Sequence, residues 1–156
     1  MADMDDEKTV IRAAERLSRK DDEALALEIG LRDKLITSDP KLGDQADLAV
    51  SYGTHMGLIE DVKALGWRIL ARWNRELYRV VCSSTKKEDQ ELRVKLFAAL
   101  DINEAALIAV VAPAIVWLGA PVAIAAAVAP LIVKKFIVPA KEELCISWGE
   151  AIAATP

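Results

Sequence analysis

The chain is poor in the residues that most often carry chemistry. Of its 156 residues one is a histidine and two are cysteines. A histidine-based triad would have to use His55, which sits between Ser51 and Gly57 in a loop, and no serine lies in a G-x-S-x-G turn. A nucleophilic pair of Cys82 with His55 would require approach from far along the chain. Cys82 and Cys145 have neither C-x-x-C nor zinc spacing, and read as two free thiols in a reducing compartment. Paired Glu-x-x-His motifs, which build di-iron bundles, are missing, as are phosphate-cradling and dinucleotide-binding glycine patterns. Asp44, Asp47, Glu60 and Asp61 show no ligand spacing. The expectation is a protein without catalytic residues, without a metal and without a cofactor.

Other absences narrow the physical type. No alternating β-branched run lies between turn signals, so no strand is expected. Repeats of solenoid length are absent. The acidic start Met1–Glu7 lacks the apolar segment of a secretory signal, which points to the cytoplasm or the cytoplasmic face of a membrane. A net charge of −4 does not favour nucleic acid. With 53% apolar and 28% charged residues, the chain has enough apolar material for a core, and disorder is excluded as a global state.

What is present is sharply segregated. Residues 1–104 hold 21 of the 24 acids and 17 of the 20 bases. Directly afterwards Ala105–Val133 runs for 29 residues without a charge. Within it Val111–Val116 (VAPAIV) returns as Val128–Val133 (VAPLIV), and Gly119-Ala120-Pro121 between the copies is a helix stop followed by a helix start. Two apolar helices folded on each other are predicted, Ile102–Leu118 and Val122–Val138, each roughly 26 Å long. That is at the short end of what crosses a hydrocarbon core of roughly 30 Å. Pro113 and Pro130 should kink the two halves at equal depth. Trp117 lies near the apex, and Lys134 and Lys135 flank the base as interfacial anchors would.

The remaining helices are amphipathic. The first, about Asp5–Arg19, carries Val10, Ile11, Ala14 and Leu17, and the second, about Asp22–Ile36, carries Leu27, Leu31 and Leu35 behind Asp21 and Asp22 as caps. Asp39-Pro40 signals a third helix, bearing Leu48, Ala49 and Tyr52. The fourth, about Leu58–Val81, has a continuous stripe of Leu58, Val62, Leu65, Ile69, Trp73, Leu77 and Val80. Thr85 and Glu88 form a capping box before Leu92, Leu96, Ala99 and Leu100, and Asp101 with Glu104 repeats the pattern. A last helix, about Ala140–Ala153, carries Leu144, Trp148 and Ile152.

On the fourth helix Arg68, Arg72, Arg75 and Arg79 recur at 4, 3 and 4 residues, a basic ridge suited to anionic head groups, a phosphate-bearing ligand or an acidic partner. The simpler reading is that Glu15, Asp22, Glu28 or Asp33 pairs with it, with Glu76 pairing locally to Arg72 and Arg79. Trp67 and Tyr78 read as packing residues away from the arginines.

The sequence therefore predicts an all-α multi-helix bundle with a carboxy-proximal apolar helical hairpin: a charged bundle over residues 1–101, the hairpin over 102–139, and a short amphipathic helix and tail over 140–156. The expected function is membrane-directed, the hairpin entering or perturbing a lipid bilayer, with self-association or a protein partner engaging the rest. The alternative is a soluble interaction or scaffold protein in which the hairpin is core.

Overall fold

The computed structural model describes residues 4–53 and 57–154. It is all-α: α1 (Met4–Leu17), α2 (Asp22–Ser38), α3 (Ile59–Tyr78), α4 (Lys87–Leu100), α5 (Glu104–Trp117), α6 (Val122–Ile132) and α7 (Leu144–Ala154), with no strand among the described residues. Two helices widen into π-turns at their carboxy ends, α3 over Arg79–Ser83 and α6 over Val133–Ile137.

α6 is the axis of the molecule. Its residues Ala123 to Ile132 are all buried, and it touches α1, α2, α3 and α5. An alanine-rich, uncharged helix has no polar face to give to water, so it is wrapped by helices that do. α1 presents Val10, Ala13, Ala14 and Leu17 to the interior, and α3 presents Val62, Leu70, Trp73 and Leu77. One hydrophobic cluster takes residues from the amino-terminal bundle, the hairpin and α7 alike.

α2 and α3 lie antiparallel and unusually close. A methyl group on Gly30 would overlap the carbonyl oxygen of Val62, and one on Gly66 would overlap that of Ala26. The two helices thus meet backbone to backbone across a reciprocal pair, Ala26/Gly30 against Val62/Gly66, where only a hydrogen fits in the side-chain position.

α2 turns a face inward that is rotated from the predicted leucine stripe. Leu25, Ala26, Ile29 and, of the stripe, Leu31 are buried, while Leu27 and Leu35 are half-buried. With that rotation Glu28 and Arg32 enter the core, 6% and 3% exposed. Arg32 donates from Nε to Glu28 (2.7 Å) and from one terminal nitrogen to the carbonyls of Ala46 (2.8 Å) and Ala123 (2.9 Å). Lys20 lies 3.6 Å from the other oxygen of Glu28. A buried ion pair is tolerable only when its remaining hydrogen-bonding positions are filled, and the two carbonyls do much of that.

This arginine explains the largest departure from the predicted elements. Asp39-Pro40 opens only a 3₁₀ turn, Pro40–Asp44, because the following chain is drawn out as a non-helical strap to bring the Ala46 carbonyl to Arg32. Leu48 still packs inward from the strap, and Tyr52 is exposed. Two caps also move. α4 starts at Lys87 with no side-chain cap from Thr85; Ser84 instead bonds Asp89 and accepts from the Lys86 amide (3.2 Å). α5 is capped by Asn103, which accepts from the Ala106 amide at 2.8 Å, while Asp101 ends α4. α5 thus takes its cap from a neighbour two positions beyond the predicted one, and α4 starts without a side-chain cap.

The cysteines are joined. Cys82, in the π-turn that ends α3, bridges to Cys145 at the start of α7, with Cα atoms 5.6 Å apart. Free thiols were expected, and the bridge removes the thiol argument for a reducing compartment. It closes a loop with a sequence separation of 63. Replacing both cysteines by serine should cost about 2–4 kcal/mol, a fall of about 5–15 °C in Tm measured by thermal melting under non-reducing conditions.

Candidate functional site

The arginine ridge of α3 meets the hairpin only at its base, where Lys135 and Phe136 share a cleft with Arg68 and Arg75. α5 and α6 pack together across the turn Leu118–Pro121. Gly119 has φ +113°, the left-handed conformation that ends a helix and favours glycine, and Pro121 caps α6. α5 runs on through Pro113 to Trp117, and Pro130 sits in the buried middle of the bundle shortly before α6 widens into its π-turn.

α5, unlike α6, keeps one side toward solvent. Ala106, Ala109, Val110, Pro113 and Val116 are half-buried, and Trp117 at the turn is 56% exposed. These positions share one face at helical spacing, and the face carries no charge along its length. α4 packs beside α5 and exposes Arg93, Val94, Lys95 and Phe97, with Ile102 at the corner between the helices. The Arg93 guanidinium stacks over the Phe97 ring at 5.8 Å. The result is an apolar strip on α5 whose flanking segments expose the basic Arg93 and Lys95 and the acidic Glu91, Asp101 and Glu104.

Among the described residues no single helix is long and apolar enough to cross a membrane. Val122–Ile137 together with Lys141–Ala154 reach the required length and composition only as a pair bent by 93°.

The two lysines at the base of the hairpin part company. Lys134 turns back onto the end of α1, donating to the carbonyls of Ser18 (2.8 Å) and Lys20 (2.7 Å), so it caps that helix rather than flanking the hairpin as an interfacial anchor. Lys135 is exposed and stands 5.2 Å over the ring of Trp67.

The four ridge arginines are all exposed. The expected pairing with α1 and α2 does not form. Glu28 is held by Arg32 and Lys20, and among the described residues the ridge's ion pairing is Arg79 with Glu76 alone. Asp33, half-buried, has its carboxyl pushed up by burial, with Lys34 acting weakly the other way; it is not engaged with the ridge. Arg72 lies over the ring of Trp73 at 4.6 Å.

Arg68 and Arg75 face a cleft of about 720 Å³ between α3, the π-turn of α6 and α7. Lys135 stands on its rim as well. Trp67 packs against the core as expected, and it also lines the cleft beside Arg68, so it does not lie away from the arginines. Tyr78 does pack: its hydroxyl donates to the Cys145 carbonyl (3.2 Å) and its ring meets Trp148 edge-on at 5.4 Å. Behind it Trp148 donates to the buried Asn74 at 2.8 Å, fixing α7 on α3. Neither the cleft nor the burial of Glu28 and Arg32 was visible in the sequence. The one available signal was two glycines inside helical patterns, which mark a close approach.

His55 lies outside the described residues. Among those described, no group of three or more histidine, cysteine, aspartate or glutamate side chains is placed to hold a metal ion. No family model, curated protein or solved structure matches this chain.

Proposed function

We propose that this is a membrane-directed helical protein that docks on an anionic bilayer through the uncharged outer face of α5, with α6 sheathed behind it. The observation that carries the reading is that face: six apolar residues from Ala106 to Trp117, half-buried or exposed, with basic residues of α4 alongside. Apolar surface that a folded helix leaves in water is stabilised by transfer to the bilayer interface, and the indole of Trp117 suits the head-group level. Arg93 and Lys95 add about 1 kcal/mol each near an anionic surface.

A second reading has its own support. The burial of α6 from Ala123 to Ile132, anchored by Arg32 at one end and Lys134 at the other, is what a soluble interaction protein with a core hairpin requires.

Flotation with phosphatidylglycerol-containing vesicles separates them. Docking predicts co-flotation, weakened by salt and lost on Val110→Glu. An acid at the centre of the face should lower partitioning about tenfold, the equivalent of about 1.4 kcal/mol, while the change at Val110, half-buried against the core, should cost only about 1 kcal/mol of stability and leave the fold intact. Protein left entirely at the bottom of the gradient, with neutral and anionic vesicles alike, overturns docking in favour of the interaction protein.

A further inference from the structure

The cleft among α3, α7 and the π-turn of α6 has a composition that specifies a ligand. Its floor is apolar: Leu70 and Phe136 are buried, and Ala71 and Ile152 are half-buried around them. Its rim holds Arg68, Arg75 and Lys135, and no acidic residue lines it among the described residues. None of these three cations has an ion-pair partner among the described residues. Solvent-facing arginines are ordinary; three unpaired cations around an apolar trough on a chain of net charge −4 are not. Among the described residues no acid supplies a counter-charge here.

Each part of the cleft excludes a class. An inorganic anion would leave the floor unused. A neutral apolar molecule would leave the cations without a partner. A sugar would set most of its hydroxyl groups on Leu70, Phe136 and Ile152, with the Asn74 amide, whose Oδ1 already accepts from Trp148, as the polar group of the floor. The volume lies within the range that small-molecule sites occupy, about 300–1,000 Å³. We propose that the cleft binds a single-chain anionic amphiphile, an alkyl carboxylate or phosphate. Its chain lies on Leu70, Phe136 and Ile152, and its charged head sits between Arg68, Arg75 and Lys135. The guanidinium groups supply paired donors to the oxyanion. Lys135, already stacked on Trp67, contributes a third charge. The site is independent of any bilayer docking by α5, since it lies among α3, α6 and α7.

Calorimetric titration of the full chain with dodecyl phosphate, kept below its micelle concentration, tests this. One molecule should bind per chain. Dodecanol, which lacks the charge, and inorganic phosphate, which lacks the chain, should each bind at least about tenfold more weakly. Arg68→Gln with Arg75→Gln should weaken dodecyl phosphate about tenfold or more at unchanged helical content. Arg72→Gln with Arg79→Gln removes the same charge from the same helix outside the cleft and should leave affinity intact. Ala71→Trp should block the floor.

Equal binding of dodecanol reduces the cleft to an apolar trap, and equal binding of inorganic phosphate reduces it to an ion site; either overturns the proposal. Equal loss in the two double variants shows attraction by general charge and overturns it too. So does capture by anionic vesicles with no uptake of the monomer.

Discussion

Gly66→Val is expected to abolish the cooperative thermal transition. The valine would drive its Cβ into the carbonyl oxygen of Ala26, a backbone atom that no rotamer change can move aside. Relief requires α2 and α3 to separate along their whole crossing, which unpacks Leu25, Ile29, Val62 and Leu70 from the shared core. Alanine at the same position needs the same separation with less bulk. It should cost about 3 kcal/mol, the upper range for overpacking, and lower Tm by about 10 °C. Gly53→Ala is the control: nothing lies within 4 Å of the added methyl group and φ is not positive, so stability should hold or rise slightly. Circular dichroism melts read all three. A wild-type transition in Gly66→Val would mean that the two helices are not in backbone contact.

Ala126→Asp gives the second large effect, and its kind decides where α6 resides. Ala126 is 0% exposed at the centre of the bundle. A carboxylate there is buried without a partner, costing about 3–5 kcal/mol, so Tm should fall by about 10 °C or more. Burial raises the pKa of the new aspartate in the folded state above its unfolded value. The folded state then binds more protons, and stability should recover as pH falls through that raised pKa. A variant that melts normally but no longer floats with vesicles would instead place α6 in lipid at rest. A variant altered in neither respect would put Ala126 in water, contrary to the fold.

The contrast between these two sites also explains what could be read from the chain. The hairpin was legible because its signals are local: an uncharged run, and a glycine and a proline two residues apart at the turn. The stripe of α3 was legible from Val62 onward for the same reason, since periodicity places residues relative to their own helix axis, but Leu58, ahead of the helix, is 71% exposed. Gly66 was not, because what forbids a side chain there is a carbonyl forty residues away. Glu28 and Arg32 form an i,i+4 pair that looks on paper like a solvated one. Only the identity of the neighbouring helices turns it inward, and with it goes the strap at Ala46. The ridge was found as a pattern but its partners were not, because spacing says nothing about which acids are already engaged. The disulfide follows the same rule. Two cysteines with no motif spacing meet because a π-turn ends α3 beside the start of α7.

The two anchors of α6 differ in depth, and that gives the helix a direction. At its amino end a guanidinium sealed from water grips the Ala123 carbonyl, and letting go would strand a charge in the interior. At its other end the Lys134 ammonium, only half-buried, can exchange the Ser18 and Lys20 carbonyls for water at little loss. Any loosening of the central rod must therefore start at the π-turn and travel toward the glycine corner, so that the tip of the hairpin is the last part to leave its seat.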